Sequence, residues 1–245
     1  QDLSQLFQDM MSAIRSHAPG ANFFCVGDDW QAINGFAGSD LRFFRDFENH
    51  FSPSRRLEIT TNYRSKGSIV EAGNKLMTGL GTPAKPSTSE SGRVLIGDLS
   101  SFQPSPRERK EFSGDVLTPA VLRIVSECLK AGQNVALLSR KNSLPWSVDV
   151  GRGDLGKFLD FVRGYLPEND RRRVSISTTH KFKGLQRDAV IILDAVEGSY
   201  PLIHPDIVFT QVFGDTPVKA VDEERRLFYV ALTRAVSSLY VLTEK

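Results

Sequence analysis

Short apolar runs alternate with stretches of helical amphipathicity along most of this chain, and that alternation restricts the fold more than any single residue does. Leu3, Leu6, Phe7, Met10, Met11 and Ile14 recur at helical spacing. The run Ala21-Asn22-Phe23-Phe24-Cys25-Val26 that follows predicts a buried strand. A second helix is expected from an N-cap at Ser39 or Asp40 through Leu41, Phe44 and Phe47, then a strand over Leu57 to Thr60 and a helix over Ser68 to Met77. Pro, Ser, Gly and charged residues predict exposed loops from about Gly79 to Gly92 and from Ser100 to Ser113, around a short strand, Val94 to Leu99. Alternation resumes with a helix over 116–130 and a strand from Val135 to Leu138. Val174 to Ser177 and Ala189 to Leu193 read as further strands, and a helix over Asp222 to Ala235 leads into a last strand, Leu239 to Leu242. Strands alternating with helices imply parallel α/β layers joined by right-handed crossovers.

With 245 residues, 40% of them hydrophobic, the chain has material for one large domain or two small ones. A net charge of +2 provides no global field that would gather a polyanion, so such a site has to come from local clusters. Arg55-Arg56 and Arg171-Arg172-Arg173 are candidates, although such runs are usually solvated surface. Cys25 and Cys128 lack metal-ligand spacing and read as reduced structural residues. No stretch approaches the roughly 18 to 20 apolar residues of a membrane span, and no signal-peptide pattern opens the chain, so a soluble, cytoplasmic protein is expected.

Four segments carry chemistry, each with a bland alternative. Val26-Gly27-Asp28-Asp29-Trp30-Gln31 runs a predicted strand into a polar turn, where open α/β sheets bind ligands; alternatively it is a capped turn with Trp30 in the core. Thr60-Thr61-Asn62-Tyr63-Arg64-Ser65 places a guanidinium just past a strand end, suited to gripping phosphate or to a surface ion pair. Thr178-Thr179-His180-Lys181-Phe182-Lys183-Gly184-Leu185-Gln186 combines hydroxyls, cations and an approachable Gly, which suits sugar-phosphate contact without base reading. The stretch from Glu223 to Ala235 is a helix with acidic residues near its start and Arg234 at its close, a polarity that the helix dipole alone would favour.

In this order the four segments resemble the end of motif II and motifs III to VI of UvrD/Rep-like superfamily 1 DNA helicases. Gly27-Asp28-Asp29-Trp30-Gln31-Ala32-Ile33-Asn34 and Thr233-Arg234-Ala235 are the most specific parts, and Phe36-Ala37-Gly38 is similar to the helicase IV branch. The resemblance implies a RecA-like P-loop NTPase fold, with residues 1–52 as the tail of a first motor domain and 53–245 as a second. Its cofactors would be ATP and Mg²⁺, its partner single-stranded DNA, and its neighbour the N-terminal RecA-like domain of the same polypeptide.

Carried over by position, Gln31 resembles the glutamine that senses the γ-phosphate, and Arg64 and Arg234 the two arginines that reach across the cleft to it; Gln186 stands at the nucleotide ribose contact. Trp30, Phe36, Thr179, His180, Lys183, Gly184 and Tyr200 fall among DNA contacts, with Phe36 the base-stacking aromatic. Gln1-Asp2 match the last two residues of the family's Asp-Glu-x-Gln-Asp, which would put the metal-binding Asp and catalytic Glu upstream. No Gly-x-x-x-x-Gly-Lys-Ser/Thr occurs, so the chain alone is expected to be inactive as an ATPase and to hold no metal.

The sequence departs from the family pattern at Gln186, where Glu is usual, and at Asn34 and Ala37. The interval between Arg64 and Thr178 is too short for a large accessory domain. The rival function is a non-catalytic, helicase-derived module binding DNA or protein. A Rossmann-type enzyme lacks support, since no Gly-x-Gly-x-x-Gly follows a strand.

Overall fold

The computed structural model describes residues 1–144, 154–203 and 216–244, and the side chain of Phe36 also lies outside the description. In chain order the elements are α1 (Gln5–His17), α2 (Arg42–Arg45), α3 (Phe47–His50), β1 (Thr61–Asn62), α4 (Gly67–Leu76), β2 (Lys85–Pro86) and β3 (Arg93–Asp98). There follow α5 (Pro106–Phe112), α6 (Leu117–Lys130), β4 (Val135–Ser139), α7 (Leu155–Gly164), α8 (Glu168–Arg171), β5 (Val174–Thr178), β6 (Arg187–Ile192), α9 (Pro217–Leu232) and β7 (Ala235–Thr243). Three single 3-10 turns, Asp29–Gln31, Gly35–Ala37 and Leu99–Ser101, complete the set among the described residues.

Five strands form one sheet in the order β3-β7-β6-β4-β5, every neighbour parallel. Parallel strands need crossovers, and those crossovers cover the two faces with helices. On β4 this is visible residue by residue. Val135 and Leu137 face a core with Val121 and Val125 of α6 and Phe158 and Val162 of α7, whereas Ala136 and Leu138 face Ile69 of α4 and Ala231 and Leu232 of α9. That double burial is why β4 and β6 read as continuous apolar runs rather than alternating ones. The expected α/β architecture, a parallel sheet flanked by helices, is what the chain forms.

The first fifty residues depart from the expectation. Ala21 to Val26 is not a strand: it runs without ladder partners, and Phe24 and Val26 are 91% and 77% exposed. No described strand lies beside it, and an apolar run becomes a buried strand only when a neighbour supplies hydrogen bonds and cover. Cys25 is accordingly exposed rather than structural, while Cys128 is buried on α6. The helix expected after Ser39 is broken into α2 and α3, with the Asp40 carboxylate accepting from the Arg42 amide at 2.9 Å. Leu57 to Ile59 likewise lies outside any ladder; pairing begins where the Lys85 amide donates to the Thr60 carbonyl at 2.7 Å, leading into β1 against β2.

Four elements, β2, α5, α7 and α8, have no counterpart in the sequence reading. Helix α5 lies within the stretch taken for a loop; its signal is Ser105-Pro106-Arg107-Glu108, a capping box in which the Ser105 amide donates to the Glu108 carboxylate at 2.6 Å and Pro106 occupies the first turn. Helix α7 starts on Asp154, whose Oδ1 accepts from the Gly156 and Lys157 amides. The arginine run at 171–173 is structural, Arg173 pairing with Asp170 at 2.8 Å and donating to the Gln133 carbonyl.

Leu137, fully buried at the centre of the sheet, offers a direct test of this core. Leu137→Ala should cost about 2–5 kcal/mol in chemical denaturation of the chain, whereas truncating exposed Leu57 should leave the midpoint nearly unchanged.

Candidate functional site

Helix α9 organises the site. Thr216 caps it, its hydroxyl accepting from the Lys219 amide at 3.1 Å, with Pro217 in the first turn. The helix stops at Leu232, and only Thr233 and Arg234 separate it from β7. Arg234 occupies that corner, 0% exposed. Its Nε–H donates to the Val230 carbonyl at 3.0 Å, and its terminal nitrogens donate to the Leu185 carbonyl, the Thr233 hydroxyl and Gln31 Oε1, each 3.3–3.4 Å away.

Arg64 stands beside it on the turn after β1. Asn62 Oδ1 shapes this turn by accepting from the amides of Arg64 and Ser65, both at 2.9 Å. The Ser65 hydroxyl fastens the turn to β7 through the Ala235 carbonyl at 2.7 Å. From there Arg64 donates to the Thr233 carbonyl at 3.2 Å. Burial first, and the Arg64 guanidinium second, pull the Arg234 pKa down to about 10. Among the described residues neither arginine is ion-paired to a carboxylate; Asp28 supplies counter-charge through Gln31, whose Nε2 donates to Asp28 Oδ2 at 2.6 Å. In front of this group opens a cavity of ≈280 Å³ lined by Asp28, Gln31, Thr61, Asn62, Tyr63, Arg64, Tyr229 and Thr233. Arg64 lines this cavity and Arg234 lies buried behind its Gln31 and Thr233, so the two guanidiniums together favour an anion with several oxygens at this place.

Trp30 is not presented to any ligand. It is 4% exposed, its ring meets Tyr229 edge-on at 5.1 Å between centroids, and its indole N–H donates to the Leu80 carbonyl. A tryptophan satisfied on both counts is a wedge between the Asp29–Gln31 turn and α9, which corrects its assignment as a DNA contact. Phe36 sits on the Gly35–Ala37 turn, and its side chain lies outside the described residues.

A second cluster lies at the carboxyl ends of β4, β5 and β6, against the middle of α9. Asp194, buried, accepts from the Ser139 hydroxyl at 3.0 Å and from the Arg140 amide at 3.0 Å; burial pushes its pKa up, against these hydrogen bonds. The Arg140 guanidinium forks onto Glu224 of α9 at 3.1 and 2.7 Å, and Glu224 also accepts from the Leu202 amide at 3.1 Å. Thr179 is buried, its hydroxyl bonded to Tyr200 Oη at 2.6 Å, so this hydroxyl braces the loop and does not face solvent. His180 is half-buried. Lys183 reaches across to Asp2 at 2.8 Å, Gly184 adopts φ +87 with open space where a Cβ would stand, and Gln186 is exposed.

The structure thus gathers Gln31, Arg64 and Arg234 at the carboxyl end of α9, and Thr179, His180 and Tyr200 farther back along it, with the Tyr200 ring against Phe228 at 4.9 Å. Lys183, Gly184 and Gln186 lie on the loop between. Sequence reasoning passed over Tyr63, whose ring is 79% exposed on the rim of the cavity, and over Arg140 and Glu224. Tyr63 was legible as an aromatic next to the strand-end arginine. The Arg140–Glu224 pair was not, because its partners lie far apart in sequence.

Residues 164–245 match the family model of the UvrD-like helicase C-terminal domain, and the chain carries a UvrD-like helicase C-terminal region. It is 27% identical to DNA helicase IV of Escherichia coli (strain K12) over 250 residues, spanning 100% of this chain and 33% of that protein. It is 22% identical to the ATP-dependent DNA helicase UvrD2 of Mycobacterium tuberculosis (strain H37Rv), over 96% of this chain and 45% of the relative. The chain therefore spans less than half the length of these relatives. Among solved structures, the C-terminal domain of a possible DNA helicase from Lactobacillus plantarun WCFS1 superposes with a TM-score of 0.39 at 13% identity, over 75% of this chain and 88% of that one, too loosely to bear on the fold. No described helix is long and apolar enough to cross a membrane.

Burial, with the Arg140 guanidinium nearby, holds the His180 imidazole below 6.5, so it is neutral at pH 7. The unfolded chain takes up this proton first as pH falls. The contribution of neutral His180 to stability is therefore complete above 6.5 and lost on descending towards its lower folded value. Urea midpoints compared at about pH 7.5 and about pH 5.5 should fall less for His180→Asn than for the native chain.

Proposed function

We propose that this chain is the C-terminal part of an ATP-dependent DNA helicase that translocates 3′ to 5′ on single-stranded DNA. In this reading residues 1–52 complete a first RecA-like domain and 53–245 form the second, with the nucleotide held between them. The observation that carries the reading is the Arg64–Arg234 pair: Arg64 lines a polar cavity, fully buried Arg234 stands behind its Gln31 and Thr233, and among the described residues neither is ion-paired to a carboxylate. Like charges in a low-dielectric setting raise each other's cost, and a bound anion is what relieves it.

The terminal phosphate of ATP has the matching chemistry, three oxygens that gain charge as the phosphoryl group transfers. Arginines placed on them are worth on the order of a thousandfold or more in rate. Gln31 lies between Arg234 and Asp28 and would report the terminal phosphate by exchanging its hydrogen bonds. Tyr63, exposed on the cavity rim, offers a face for stacking a base. ATP would supply the transferred phosphoryl group. Among the described residues no cluster of His, Cys, Asp or Glu is arranged to hold a metal, and the ligands of Mg²⁺ are assigned in this reading to residues outside the chain.

Single-stranded DNA would pass over the carboxyl ends of β4, β5 and β6, where His180, Lys181 and Lys183 gather. Thr179 and Tyr200 support that surface from beneath, and Phe36 supplies a stacking ring from the other lobe. Cleft closure on ATP would move the two groups of DNA contacts relative to each other, which is the elementary step of translocation.

The purified 245-residue chain should show no DNA-stimulated ATP hydrolysis; robust turnover by it would contradict the half-site reading. In the full-length protein, Arg234→Ala should abolish ATPase activity while single-strand affinity, measured by fluorescence anisotropy, changes little. Retained activity would transfer support to a non-catalytic binding module.

A further inference from the structure

The turn beside the anion cavity carries two successive aspartates with different tasks. Asp29 pairs with Arg45 at 3.4 Å and does not line the cavity. Asp28 does line it and, among the described residues, is in no ion pair. Its Oδ1 accepts from the Trp30 amide at 3.0 Å, which caps the Asp29–Gln31 turn, and its Oδ2 accepts from Gln31 Nε2 at 2.6 Å. The backbone beneath it is held in place. The Asp28 amide donates to Gln1 Oε1 at 3.0 Å, and a Cβ on Gly27 would stand 2.7 Å from that oxygen and from the Phe44 ring. A response of this turn to a ligand therefore falls to its side chains.

Partner chemistry fixes the orientation of the glutamine amide. A carboxylate only accepts and a guanidinium only donates, so Gln31 turns Nε2 to Asp28 and Oε1 to Arg234, 3.3 Å from its terminal nitrogen. Carboxylate, amide and guanidinium form one chain with opposite charges at its two ends. Those ends feel each other: burial and then Arg64 lower the Arg234 pKa, while Tyr229 and Asp28 work against both. An ionised phosphate oxygen only accepts. To reach one, Gln31 can use only Nε2, the end that Asp28 grips, and Arg234 must release the glutamine oxygen. The same phosphate also meets Asp28 itself as a like charge on the cavity wall.

We infer that Asp28 is a positioning residue that stands in for the terminal phosphate while the cavity is empty, so that a triphosphate binds by taking Gln31 and Arg234 over from it. The inference rests on the helicase reading. Without the phosphate, the chain from Asp28 through Gln31 keeps the buried guanidinium partly compensated. As the phosphate arrives, Nε2 leaves the carboxylate for a phosphate oxygen and Arg234 exchanges the glutamine oxygen for another. The state ready to receive the phosphate is then only a fraction of the empty protein, which lowers the apparent affinity for a triphosphate. A diphosphate lacks the group that provokes the exchange. After transfer the carboxylate reclaims the amide, which favours departure of the free phosphate.

Two ligands that differ by the terminal phosphate provide the test. Calorimetric titration of the full-length protein with the non-hydrolysable analogue AMP-PNP and with ADP, each with Mg²⁺, gives both affinities, and melting temperature is recorded beside them. Asp28→Ser keeps a cap for the Trp30 amide but neither the charge nor the reach to Gln31. Asp28→Asn keeps the shape and leaves a donor facing Gln31. Each should bind AMP-PNP about tenfold more tightly than the native protein, with ADP affinity and melting temperature held. In a Gln31→Ala background, where the amide link is missing, Asp28→Ser should gain about twofold or less. No gain in either variant, an equal gain for ADP, or an undiminished gain without Gln31 would overturn the placeholder. A native protein that binds neither nucleotide would instead overturn the helicase reading on which it rests.

Discussion

A guanidinium shut away from water behind a glutamine is the constraint around which the rest of this molecule is arranged. Removing the charge of Arg234 from solvent costs several kcal/mol unless hydrogen bonds and counter-charge offset it. The chain meets that cost from four directions: the last turn of α9, the Leu185 loop, the Thr233 hydroxyl and Gln31 of the first lobe. Arg64 adds to the cost rather than reducing it, since its own charge helps depress the Arg234 pKa. An arrangement that keeps two cations together without a carboxylate between them is strained electrostatically, and an arriving polyanion relieves that strain. Stability and ligand affinity are here two sides of one free-energy difference.

Because Arg234 is fixed to the end of α9, whatever positions that helix positions the arginine. Its inward face is committed to the sheet through Ala231 and Leu232, while Leu227 and Val230 pack on Ile33 of the first lobe. Its middle is committed to the carboxyl ends of the strands through Glu224 and Arg140, and Tyr229 on it receives Trp30. One helix thus touches the strand-end cluster, the anion cavity and the first lobe. A helix is stiff over this length, so displacement at one end is delivered to the other with little loss.

Much of this was legible in the sequence, and the parts that were not share a cause. β4, β5, β6, α4 and α6 lie close to where periodicity put them, because strands buried on both faces and helices with one apolar stripe leave unambiguous patterns; α9 begins at Pro217, five residues before the expected start, and β7 at Ala235, inside the expected helix. Arg64, Arg234 and Gln31 were recognisable from local motifs and do meet in space. Ala21 to Val26 misled because an apolar run reports a capacity to be covered and not the presence of a covering strand. Trp30 misled because its neighbourhood in sequence is polar, whereas its partners Tyr229 and Leu80 come from distant segments. Thr179 was correctly placed in the loop, but its hydroxyl faces Tyr200, a pairing across 21 residues that spacing alone does not reveal. The Arg140–Glu224 and Gly35–Glu223 contacts join positions 84 and 188 residues apart and lay beyond any local reading.

The central claim is that the cavity before Arg64 and Arg234 receives the terminal phosphate of a nucleotide. A crystal structure of the full-length protein with single-stranded DNA and an ADP–fluoroaluminate complex, which mimics the transferring phosphoryl group, tests it most directly. The account predicts both guanidiniums within hydrogen-bonding distance of the fluoroaluminate, with Gln31 turned from Asp28 towards it. A nucleotide bound with Arg234 still donating to Val230, Leu185 and Gln31, and with the analogue far from both arginines, would contradict it.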